Sequence, residues 1–121
     1  MNEIKRNEIN EEWAYSGMVE AGDYVFISYC MENEGQSIEN QIYGAFNLLE
    51  KRLETIDLNL ESVVKIDCLF KNIMDIHFLE KIIKEKFKNK YPARKAFETK
   101  FLRDKILFQI DAIAFRNKKW L

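Results

Sequence analysis

The chain of 121 residues holds one proline, one histidine, two cysteines and four glycines, and its net charge is −1. One histidine cannot complete a Cys/His cluster at metal-ligand spacing or a convincing Ser-His-Asp set. The four glycines form no phosphate-cradling loop. No metal and no cofactor is therefore expected. Cys30 and Cys68 lie far apart inside apolar runs and read as reduced core thiols, not as a disulfide. With 19 Lys and Arg against 20 Asp and Glu, no global field draws the chain to nucleic acid. No run approaches ~18 apolar residues, and residues 1–8 contain no apolar leader segment, so no membrane partner and a cytoplasmic location are expected. What is present is ordinary globular composition, 47% hydrophobic and 32% charged. Residues 1–121 are expected to form a single domain, with a polar N-terminal extension at 1–11 and a short basic tail at 116–121.

Periodicity supplies the elements. Ala21-Gly22-Asp23 is a tight-turn signal between two β-rich runs, which predicts a hairpin of Trp13–Val19 with Tyr24–Cys30. Ser37 is placed to cap a helix of about five turns, whose stripe of Ile38, Ile42, Ala45, Phe46, Leu49, Leu53 and Ile56 recurs at spacings of three and four. Over Ser62–Phe70 the period changes to two, with Val64, Ile66, Cys68 and Phe70 on one face. Ile76, Leu79, Ile82, Ile83 and Phe87 restore helical spacing, and Pro92 ends that helix. Two last strands are expected at Ala93–Phe101 and Lys105–Phe115, joined by a turn at Arg103-Asp104.

The order ββαβαββ predicts an α+β domain of two layers, a mixed sheet with both helices on one face. The other sheet face is left uncovered, with Leu107, Ile113, Phe115 and Phe97 available to line it. An uncovered apolar sheet face in a small domain points to self-association. The early aromatics Trp13, Tyr15, Tyr24, Phe26 and Tyr29 read as mostly core, with Tyr15 and Tyr29 as the exceptions.

The most informative residue is Arg94, fixed just after Pro92-Ala93 at the start of a strand. A planar guanidinium that stays charged at any ordinary pH matches the two oxygens of a small carboxylate. A hairpin turning at Arg103-Asp104 would set Glu98 across from Gln109 and Ala96 across from Asp111. Arg94, Ala96 and Glu98 would then share the uncovered face with Gln109, Asp111 and Ile113. Such a set is either a ligand site at an interface or a cross-strand polar ladder. His77, between Ile76 and Phe78 on the second helix, reads as structural.

Across Tyr15 to Phe115 the chain resembles the RidA/YjgF family, also called endoribonuclease L-PSP or translation-initiation-inhibitor proteins. The resemblance rests on Tyr15, Gly22-Asp23-Tyr24-Val25-Phe26-Ile27-Ser28, Gln41, Ala45, Val63-Val64-Lys65, Phe70, Phe87, Pro92-Ala93-Arg94, Glu98 and Ala112-Ile113-Ala114. It implies a chorismate-mutase-like fold assembled as a homotrimer with clefts between subunits. For the best-known branch it implies hydrolysis of reactive 2-imino or enamine acids to 2-keto acids and ammonia. By that likeness Arg94 would hold the substrate carboxylate, Gln109 would stand where a glutamate positions water, and Ser28 and Tyr15 would complete the pocket.

The departures from the family pattern are specific. Gln109 can hydrogen-bond water but cannot take its proton at neutral pH. Tyr29 replaces the usual glycine after the serine, Glu80 and Ile83 replace an asparagine and a tyrosine, and Ala96 replaces a common cysteine. Glu98 or Glu80 could supply the missing carboxylate. Two functions remain open on these residues: a deaminase acting on small 2-imino acids, or a non-catalytic module binding small carboxylates. A third, RNA cleavage, lacks both a tuned acid–base pair and a basic groove.

Overall fold

The computed structural model of the chain describes residues 3–117. Six strands and two helices follow in the order β1 Ile4–Asn10, β2 Tyr15–Ala21, β3 Tyr24–Cys30, α1 Ile38–Glu54, β4 Val63–Phe70, α2 Ile76–Phe87, β5 Ala93–Glu98 and β6 Phe108–Phe115. All the strands join one sheet in the order β1-β2-β3-β6-β4-β5. Only β4 and β5 run parallel. The mixed sheet with two helices is the expected α+β architecture, and no described helix is long and apolar enough to cross a membrane.

The core lies between the helices and one sheet face. Ser37 caps α1 as expected, its hydroxyl accepting the Asn40 N–H at 3.2 Å. Ile42, Phe46, Leu49 and Leu53 from α1 meet Leu79 and Ile82 from α2 above Ile66, Phe70, Phe108 and Ile110, all essentially inaccessible. Cys30 and Cys68 are buried free thiols, as expected. Gln41 supplies the polar tie. Its Nε2 donates to the Lys105 and Gln36 carbonyls at 3.0 and 3.1 Å, and its Oε1 accepts the Leu107 N–H at 2.8 Å. One buried amide thus fastens the loop before β6 to α1.

Four expectations need correction. The polar extension is not outside the sheet, because residues 4–10 form the edge strand β1, paired with β2 from Ile4↔Ala21 to Asn10↔Tyr15. An edge strand exposed on both sides needs backbone partners but no apolar alternation. In β4 the buried residue is Val63, not Val64. A register shift between Val63 and Lys65 turns Val64 outward, as a bulge does by adding one residue to the strand. Helix α2 stops at Phe87, where Lys88 (φ 49°) adopts the left-handed cap conformation, before Pro92 is reached. Finally, β5 and β6 do not pair with each other, since β4 lies between them. Of the expected basic tail, residues 118–121 lie outside the described residues, while Arg116 pairs with Glu20 at 3.3 Å.

Candidate functional site

Register assigns each candidate to a sheet face. Ile66, a core residue, stands beside Arg94 on β5 and Ala112 on β6, so Arg94 faces the helices. Gln109 pairs with Leu69, which neighbours Phe97, and Asp111 pairs with Asp67, which neighbours Lys95. That second set lies on the outer face. Arg94 and Gln109 are therefore on opposite faces of the sheet, two strands apart, about 10 Å of sheet width. The shared face expected for Arg94, Ala96 and Glu98 with Gln109, Asp111 and Ile113 is overturned, because the inserted strand β4 removes the hairpin that would have aligned them.

Arg94 sits in an open cavity of about 340 Å³ with Glu80, Ile83, Lys84, Tyr91 and Pro92. Pro92 fixes the chain as it leaves the α2 cap and delivers the arginine at the second residue of β5. Its Nη2 lies 3.8 Å from Glu80 Oε2, with the two side chains 33% and 51% exposed. At that distance the pair is attracted but not hydrogen-bonded, and a half-exposed pair of this kind is weak. Among the described residues no hydrogen bond engages the guanidinium, which leaves its donors for a planar anion. Glu98 does not join it, since its Oε1 accepts the Ile73 N–H at 3.0 Å and so anchors the short turn before α2. Ala96 is half-buried on the same strand.

A second cluster forms around the end of β3. The register of β3 against β6 shifts between Ile27 and Cys30. Within that bulge Tyr29 takes φ 55°, the left-handed region, at a cost of about 1–2 kcal/mol for a side chain of this kind. That conformation is the physical reason a glycine suits this position. Here the strain is offset by two contacts: the Tyr29 N–H donates to Asp111 Oδ1 at 3.1 Å, and the ring rests on Tyr15 with centroids 4.6 Å apart. Ser28 Oγ donates to the Ser16 carbonyl at 3.2 Å. Gln109 is buried, and its Nε2 makes only a long contact, 3.9 Å, to the Met31 sulphur.

Arg52 is the residue that sequence reasoning missed. It projects from the buried side of α1 beneath the bulge, where Nη1 donates to the Ser28 carbonyl at 2.7 Å and meets Cys30 Sγ at 3.5 Å. Its Nε donates to Glu8 Oε1 at 3.2 Å, which ties β1 to the same point. The signal was available: Arg52 falls seven residues after Ala45 and three after Leu49, on the apolar stripe where a charge needs a buried partner. Burial pushes the Cys30 thiol up to about 11 despite the nearby Arg52, so it is no nucleophile.

Three of the early aromatics differ from expectation: Trp13, Tyr24 and Phe26 are exposed, not core. Tyr29, exposed, and Tyr15, half-buried, are the exceptions expected. Tyr24 and Phe26 lie in register with Phe115 and Ile113 on the outer face, whose cavity of about 270 Å³ is lined by Val19, Phe26, Ser28, Lys65, Asp67 and Asp111 among others. His77 is exposed, its Nδ1 3.0 Å from the Met74 carbonyl, with no place in either cluster.

Comparison with known proteins agrees with this frame. The family model described as endoribonuclease L-PSP matches residues 5–116. A RutC family protein of Pyrococcus horikoshii is 26% identical over 110 residues, covering 85% of this chain and 87% of the relative. A structure from Streptococcus pyogenes M1 GAS, described as a member of the highly conserved yjgF family, is 44% identical with a TM-score of 0.90, covering 95% of this chain and 98% of that one. A YjgF-family structure from Neisseria meningitidis is 16% identical with a TM-score of 0.87 over 96% and 97% of the two chains, a likeness of fold alone.

Proposed function

The chain belongs to the endoribonuclease L-PSP family, also known as YjgF or Rid, and from that membership we propose that it hydrolyses small 2-imino or enamine acids to 2-keto acids and ammonia, in clefts between the subunits of a homotrimer. The observation that carries the proposal is Arg94, a guanidinium at an open cavity whose ion-pair partner among the described residues is Glu80 at 3.8 Å. A substrate carboxylate replaces Glu80 as its partner and gains a bidentate contact. Because Gln109 and the Tyr15–Ser28–Tyr29 cluster lie on the other sheet face, a ligand touching both groups must lie between two copies. The uncovered outer face, with Tyr24, Phe26, Phe97 and Phe115 each 36–47% exposed, favours such assembly.

In the proposed reaction, water adds to C2 of the protonated imine and gives up a proton, and the amino nitrogen of the adduct takes a proton. The carbon–nitrogen bond then breaks as the C2 hydroxyl loses its own proton and becomes the keto oxygen, releasing ammonia and the keto acid. The protonated imine is already a strong electrophile, so holding the water in line supplies most of what is needed. Gln109 orients that water through its amide, and the proton leaves to solvent or to Glu80. A second reading, carboxylate binding without turnover, draws on the same Gln109, a neutral amide where chemistry calls for a base. Following the decay of enzymatically generated 2-iminobutyrate separates the two. Acceleration by the wild-type protein supports hydrolysis, and acceleration only after Gln109→Glu supports the binding module.

A further inference from the structure

The outer sheet face carries a carboxylate pair that no step above uses. Antiparallel register sets Asp67 on β4 directly across from Asp111 on β6. Directly opposed like charges repel and destabilise. Asp111 is partly relieved, since its Oδ1 accepts the Tyr29 N–H at 3.1 Å. Asp67 is not. Its Oδ1 is buried and accepts no hydrogen bond among the described residues, and Lys65 Nζ approaches only to 3.8 Å. Both carboxylates line the cavity between Phe26, Val19 and Ile113, the apolar part of the uncovered face.

From β4 come Asp67 itself and Lys65; from β5, register brings Lys95 beside Asp67. From β3 come the Tyr29 N–H and the neutral Cys30 thiol, and beyond them Arg52 and Glu8 are paired with each other. Ser16 and Ser28 complete the lining. Burial raises the Asp111 carboxyl above its ordinary value, the Tyr29 N–H opposes that, and the charge on Asp67 raises it further. Immediately around the pair two carboxylates stand with two lysines, Lys65 and Lys95, so copies of this patch meet without net repulsion. Arg6, in register with Val19 toward the β1 edge, is a further cation on the same face.

We propose that a second copy of the chain covers this face and that the Asp67–Asp111 pair takes up one proton as it does so, making self-association proton-linked. The proposal rests on the assembly part of the function above. Covering the cavity takes out of solvent the part of each carboxylate that is still exposed, 35% of the side chain for Asp67, and a shared proton turns repulsion into an O–H···O⁻ hydrogen bond. The assembled state binds more protons, so assembly strengthens as pH falls and weakens as pH rises through the pair's assembled-state value. If each of three subunits takes up one proton, the concentration for half-assembly rises by up to about 30-fold per pH unit across that window.

Sedimentation equilibrium of the full chain between pH 5 and pH 8.5 tests this. Wild type should show the rise, while Asp111→Asn, and independently Asp67→Asn, should assemble tightly with a flat pH profile. Assembly of wild type that is independent of pH, or that tightens as pH rises, overturns the proposal by showing that the carboxylates stay ionised against a partner's cation. A monomer at every pH overturns it together with the inter-subunit cleft. Imine hydrolysis assayed at a pH where the protein is assembled is a separate readout: proton-linked assembly without turnover keeps this inference and removes only the chemistry.

Discussion

Replacing Arg52 by methionine keeps most of the buried stem and removes the charged head. The head donates at 2.7 Å to the Ser28 carbonyl, a charge-assisted bond inside the protein, and bonds of this kind contribute about 1.5–3 kcal/mol. Its other strong partner, Glu8, keeps a side chain 42% exposed, so it rehydrates when abandoned instead of remaining a buried lone charge. The cost should therefore be about 2–3 kcal/mol, below the 3–5 kcal/mol typical of breaking a fully buried pair. For a chain of 121 residues the melting entropy is roughly 0.25 kcal/mol/K, which converts that cost to a fall of about 8–12 °C in Tm. Glu8→Ala, which removes the exposed partner alone, should cost under about 1 kcal/mol. Thermal melts of both variants beside wild type give the comparison. Arg52→Met costing no more than Glu8→Ala would refute the idea that the guanidinium holds the Ser28–Tyr29 bulge from below.

Further outcomes follow from single contacts. Gln41→Leu strands the Leu107 N–H and the Gln36 carbonyl, and leaves the Lys105 carbonyl with only the Gly35 N–H at 3.3 Å, so chemical denaturation should show a loss of about 2–3 kcal/mol. Gly44→Ala improves helix propensity by about 1 kcal/mol, yet the added methyl would lie 2.7 Å from Glu32 Cβ and 2.6 Å from Asn33 Nδ2. Overpacking of that kind costs about 1–3 kcal/mol, so the variant should melt lower, and a higher Tm would mean that the 31–36 loop shifts freely. The Asp111 carboxyl is raised above its ordinary 3.8 in the folded chain, so the stability that its protonation provides is complete below that value and lost as pH rises through the folded one. In dilute protein Asp111→Asn should accordingly raise Tm at pH 7, with the gain vanishing near pH 4. Burial pushes the Cys68 and Cys30 thiols up to about 12 and about 11. A thiol-specific chromogenic reagent at pH 8 should react with neither until the protein is unfolded.

The helices were legible because their apolar stripes repeat at 3.6 residues, and α1 carries its cap in plain sight at Ser37. Strand β1 was not, because an exposed edge strand satisfies its backbone without any hydrophobic pattern, and Ile4-Lys5-Arg6-Asn7-Glu8 carries almost none. The misplaced β5–β6 hairpin came from taking chain neighbours for sheet neighbours. The order β4–α2–β5 is a strand–helix–strand unit, and a crossover helix of that kind joins parallel strands. Given that pairing, β6 falls on the other side of β4 and Arg94 turns toward α2. Of the candidate site, the position of Arg94 at the start of β5 and the non-core character of Tyr15 and Tyr29 were legible. Its division between two faces was not, since face assignment depends on register, and one inserted strand or one bulge reverses it. Phe26 and Tyr24 read as core from sequence because aromatic strand residues usually are. Their side of the sheet has no second layer among the described residues.

The central claim is that Arg94 anchors a small 2-imino acid for hydrolysis. An amino-acid oxidase generating 2-iminopropionate, with semicarbazide trapping the imine that survives, measures this directly. Micromolar wild-type protein should suppress trapping, and Arg94→Ala should weaken that suppression by about 10–100-fold, the loss expected for a charge-assisted contact of about 1.5–3 kcal/mol. Trapping unchanged by wild-type protein, or suppressed equally by Arg94→Ala, would contradict the account.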